Sequence, residues 1–158
     1  MSGGLLEQRR YRRRMAIRRM DHIGMVVDDL AAATAFFLEL GLELEGEAQV
    51  EGDWVGRVIG LEDVRSAIVM LRTPDGHAAV ELSAFRTPAS VSAGSAPANT
   101  LGLRHVAFAV DDLDDVLARL QRHGAELVGE VVRYADSWRL CYVRGPEGVL
   151  VELAQQLT

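Results

Sequence analysis

Lysine is absent from the 158-residue chain. All 17 basic residues are arginine, so chemistry that needs a lysine amine, such as a Schiff base, is excluded. A single cysteine, Cys141, leaves no internal disulfide framework and suits a reducing compartment. No run approaches the roughly 18 unbroken apolar residues of a membrane span. Residues 1–19 are arginine-rich, with neither an apolar core nor a small-residue cleavage site. They do not read as a secretory signal, and a cytoplasmic protein is expected.

Positive charge is scarce beyond that basic extension. Seven of the 17 basic residues precede position 20; setting them and Glu7 aside leaves 10 basic against 22 acidic residues, a net charge of −12. Such a body is a poor surface for phosphates, so no nucleic-acid partner is expected. Apolar residues at 49% and charged residues at 25% are ordinary for one compact globular unit.

The chain contains itself twice. Asp21–Glu47 lies over Arg104–Glu130 at a constant shift of 83, without a gap over 27 positions. The shift matches His22 with His105, Asp28-Asp29-Leu30 with Asp111-Asp112-Leu113, and Gly41 with Gly124. Short apolar runs after each histidine predict strands. The aspartates supply helix N-caps, apolar residues recur at helical spacing, and the glycines suit helix ends. Further on, Leu71–Gly76 matches Val143–Gly148 at a shift of 72, each a strand end followed by a Pro-acid-Gly turn. Each turn leads into an apolar strand with one glutamate, Glu81 or Glu152. The expected fold is α+β: two tandem β-α-β-β-β modules over 20–85 and 101–158, forming a curved mixed sheet around a cleft. A Ser/Ala/Pro-rich linker spans 86–100.

Two of only four histidines stand at equivalent strand starts, and each module sets a carboxylate among apolar neighbours, where an unpaired charge is costly. Pseudo-twofold packing predicts that His22, Glu81, His105 and Glu152 come together as a mixed N/O site for one divalent ion. Zn, Ni, Co, Mn and Fe all accept that donor set. Small neighbours in alternation, Gly24 beside His22 and Ala107 beside His105, leave room for a substrate.

The pattern DHIGMVVDDL…PDGHAAVEL, then RHVAFAVDDL…GPEGVLVEL, resembles the vicinal oxygen chelate superfamily, also called the glyoxalase/bleomycin-resistance/dioxygenase group. The resemblance covers residues ~20–155. It implies paired modules around a divalent metal, with ligands falling on His22, Glu81, His105 and Glu152. The two-His, two-Glu set is similar to that of glyoxalase I. By that resemblance the activity is a metal-dependent lyase or isomerase reaction on a small molecule or its thiol adduct. A proton moves beside a metal-chelated carbonyl, with Glu152, Glu81 or both as base and acid. Extradiol dioxygenases and fosfomycin-type transferases in the group use two His and one carboxylate. Methylmalonyl-CoA epimerase carries Gln where this chain has Glu81. A non-catalytic drug- or metabolite-binding protein of the bleomycin-resistance type is the alternative from another class.

Around the metal ligands the expected pocket residues are Trp54, Met70, Ser83, Phe85, Trp138 and Arg139. A homodimer is expected, because open sheet edges favour association and the linker permits the modules to pair within a chain or across two.

Overall fold

The computed structural model describes residues 17–157. All but the last three residues of the basic extension lie outside them. The first half runs β1 (Ile23–Val26), α1 (Leu30–Leu40), β2 (Glu43–Glu51), α2 (Asp53–Ile59), β3 (Arg65–Arg72) and β4 (Ala79–Thr87). The second runs β5 (His105–Ala109), α3 (Leu113–Arg122), β6 (Glu126–Leu127), β7 (Val132–Tyr134), β8 (Trp138–Arg144), a 3-10 turn (Pro146–Gly148) and β9 (Leu150–Gln156). The result is a mixed α+β fold, and the tandem β-α-β-β-β description fits it.

Each half forms its own sheet. The orders are β1-β4-β3-β2 and β5-β9-β8-β6, with β7 also pairing with β8. In both, the first strand runs parallel to the last and the remaining pairs are antiparallel. The strand after α3 is broken into β6 and β7, whereas its counterpart β2 is continuous through a bulge near Leu44.

Local chemistry accounts for the helices. The Asp29 and Asp112 carboxylates cap α1 and α3, accepting hydrogen bonds from the Ala32 and Asp115 amides. Gly41 closes α1 at φ 118°, a conformation costly for a side chain, and its N–H reaches the Leu38 and Phe37 carbonyls. In α3, Asp114 and Asp115 stand in the first turn and Arg119 and Arg122 in the last, matching the helix dipole.

The inward faces of both sheets and both long helices share one core. It joins Phe36, Phe37 and Leu71 of the first half to Leu113, Leu120, Val143 and Leu153 of the second. Helix α1 packs on its own strands β3 and β4, on α3 and on the Pro146–Gly148 turn. It therefore buries Ala33, Phe36, Phe37 and Leu40. No helix among the described residues is long and apolar enough to cross a membrane.

Candidate metal centre

Strand alternation fixes which side chains share the outer face of each sheet. Glu81 on β4 lies opposite Gly24 of β1 and Met70 of β3; Ser83 lies opposite Ile68, and Phe85 opposite Ser66. Thus Met70, Ser83 and Phe85 stand on the face that carries Glu81. Ser83 Oγ donates a 3.3 Å hydrogen bond to Glu81 Oε1. His22 immediately precedes β1, with Nε2 3.7 Å from Glu81 Oε2.

The second half repeats this pattern with one residue fewer in its hairpin. Arg72 pairs with Ala79 across the first turn and Arg144 with Leu150 across the second. Register survives the deletion, since Met70 opposes Glu81 and Tyr142 opposes Glu152. His105 Nε2 lies 3.2 Å from Glu152 Oε2. Both glutamates keep some solvent contact, 26% exposure for the Glu81 side chain and 20% for Glu152, so neither is the fully buried carboxylate the apolar strands suggest.

The histidines differ in what holds them. His22 Nδ1 lies 3.0 Å from Asp21 Oδ2, leaving Nε2 toward Glu81, an arrangement that orients a metal-binding imidazole. Hydrogen bonding to His22 and then Arg19 holds the Asp21 carboxyl below its ordinary range. His105 has Arg104 in place of that aspartate and meets the Tyr142 hydroxyl instead, 3.3 Å from Nδ1 and 3.4 Å from Nε2. Burial, and then the neighbouring Glu152, raise the Tyr142 pKa, so the phenol stays neutral and can donate.

The four proposed ligands form two pairs within one chain, and no group of three or more His, Cys, Asp and Glu among the described residues could hold a metal. The two sheets put one histidine and one glutamate each on their outer faces, while the shared core joins the opposite faces. Arg139 does not line the face that carries Glu152. It alternates with Trp138 and Tyr142, points with Cys141, and ties β8 to α3 through Asp114 at 2.7 and 2.8 Å. Trp138 shares the parity of Tyr142. Trp54 stands on α2, outside these strands, and is 56% exposed.

Tyr142 is the site residue that sequence reasoning missed. Its signal was present, because the shift of 72 that aligns the turns also places it on Met70, an expected pocket residue.

Comparison with known proteins agrees with this fold. The profile of the Glyoxalase/Bleomycin resistance protein/Dioxygenase superfamily matches residues 21–142. The chain is similar to a glyoxalase family protein from Bacillus cereus, with 52% identity, TM-score 0.87, and coverage of 90% of this chain and 96% of that one. It is 28% identical over 145 residues to the uncharacterized protein YaeR of Escherichia coli, covering 90% of this chain and 99% of the other. At 20% identity, the fold also resembles a variant of FosX, a fosfomycin resistance protein of Listeria monocytogenes, complexed with Mn(II) and 1S,2S-dihydroxypropylphosphonic acid. Here the TM-score is 0.56, with 89% of this chain and 93% of that one covered. The chain belongs to the glyoxalase/bleomycin resistance/dioxygenase superfamily.

Proposed function

We propose that the chain is a divalent-metal-dependent lyase or isomerase of the glyoxalase type, acting on a small molecule as a homodimer. Its site would be completed when His22 and Glu81 of one copy meet His105 and Glu152 of another. The observation that carries this reading is the repeated pair, one imidazole Nε2 beside one carboxylate, on the outer face of each sheet. Neither pair suffices alone, since two donors leave most of an ion's coordination unfilled. The residues fit a metal: two borderline nitrogens, two hard oxygens, and an Asp21 carboxylate that fixes one imidazole. Such an ion (Zn, Ni, Co, Mn or Fe) would supply Lewis acidity toward a carbonyl oxygen of the substrate.

The chain's own groups supply the proton chemistry. Glu152 would take a proton from the carbon beside that carbonyl and return it at the neighbouring position. Glu81, held through Oε1 by Ser83, is the equivalent group from the other half and the alternative base. Tyr142, neutral and opposite Glu152, stands within reach of both ring nitrogens of His105 and can donate to a substrate oxygen. Met70 and Phe85 offer apolar wall, and the small Gly24 and Ala107 beside the glutamates keep space open.

Metal content per chain, after chelation and reloading, tests the reading. About one ion per chain is expected in wild type, on the usual stoichiometry of such sites, with loss in both His105→Ala and Glu152→Gln. Turnover of 2-oxoaldehyde hemithioacetals or acyl-CoA epimers would then identify the substrate. A wild-type protein that retains no divalent ion under any loading condition contradicts the reading.

A further inference from the structure

A cavity of about 420 Å³ lies between β1, the start of β5, the Pro146–Gly148 turn and linker residues 93–100. Ile23, Leu103, Val149 and Leu150 make much of its wall apolar, and His105 lines it as well. It contains one cationic side chain, Arg104.

Arg104 differs from every comparable arginine in the described residues. Five arginines there are half-buried: Arg72, Arg104, Arg119, Arg139 and Arg144. Arg72 holds Glu45, Arg119 holds Asp115, and Arg139 holds Asp114. Arg144 donates to the Gly148 and Ala96 carbonyls. Arg104 Nε is fully shielded from solvent and has no hydrogen-bond partner among the described residues. A single N–H donor left shielded and unpaired is costly, and folded proteins rarely keep one without a use.

We propose that this cavity binds a small aliphatic carboxylate. Its two oxygens would take the Arg104 guanidinium edge and its short chain would lie against Ile23, Val149 and Leu150. The fork geometry of guanidinium matches a carboxylate. A monoanion fits better than a phosphate dianion, because the cavity offers one cation and also borders Glu147. The Glu147 carboxylate is engaged elsewhere, accepting the Asp28 amide at 2.8 Å. The volume suits a ligand of metabolite size. The Arg104 contact does not depend on the metal reading, although His105, a proposed metal ligand, also lines the cavity.

Titrating the full-length protein with hexanoate, and in parallel with neutral hexanamide, tests the proposal by NMR. Hexanoate should give saturable shifts at the Arg104 Nε–Hε resonance and at the amides of Gly94, Gly148 and Val149; hexanamide should not. Affinity should fall at least about tenfold in Arg104→Gln and less in Arg104→Lys, which keeps the charge without the fork. An unchanged spectral envelope in each variant reports an intact fold. Absence of saturation with hexanoate, equal binding of hexanamide, or undiminished binding in a folded Arg104→Gln overturns the proposal. Running the series on chelated and metal-loaded protein separates this outcome from that of the metal site.

Discussion

At the scale of single residues, strand parity separates neighbours into different roles. Trp138 and Arg139 are adjacent, yet one faces the side of Glu152 and the other clamps α3. Two hydrogen bonds from Arg139 hold the Asp114 carboxyl below its ordinary 3.8. A folded-state pKa below the unfolded value contributes stability above the unfolded pKa, lost as pH falls through the folded one. Thermal melts of wild type and Asp114→Asn should therefore differ at neutral pH and converge as the buffer is taken below about pH 3.8. Full separation persisting at the acid end would contradict that assignment. Cys141, on the same inward face, is buried, and its thiol is pushed up chiefly by desolvation, as suits a packing residue.

At the scale of elements, the two halves are tied where a turn meets a helix. An added Cβ on Gly145, just before the Pro146–Gly148 turn, would come within 2.9 Å of the Phe36 ring of α1. Phe36 is itself fully buried and edge-on to Phe37. Gly145→Ala should thus cost about 1–3 kcal/mol of unfolding free energy, as overpacking does. Phe36→Leu in the same chain should return part of it, read by denaturant unfolding of the single and double variants. Simple additivity of the two costs would contradict the contact. The elements themselves were legible in the sequence because their signals are local. Aspartate caps, the Gly41 stop and the Pro-acid-Gly turns each act within a few residues. The face of Arg139 was not legible, because β8 begins after a loop and a one-residue uncertainty inverts every side chain. Tyr142 was overlooked in an apolar strand, although the internal repeat places it on Met70. The split of β6 from β7 leaves no comparable mark in the repeat, which runs without a gap to Glu130.

At the scale of the whole molecule, duplication sets the problem that association would solve. Each half carries one imidazole and one carboxylate on its outer face, while the shared core occupies the inner faces. The repeat made all four residues visible in the sequence. How they meet depends on contacts between distant surfaces, which no local pattern encodes. The central claim is that the donor set is completed between two copies, and complementation tests it most directly. One variant would carry His22→Ala with Glu81→Gln, the other His105→Ala with Glu152→Gln. Each alone should bind no divalent ion. Unfolded together and refolded as a mixture, they should regain bound metal, since the intact first half of one chain can meet the intact second half of the other. A mixture that forms dimers yet stays metal-free, beside a wild type that loads, would place all four ligands in one chain and contradict the account.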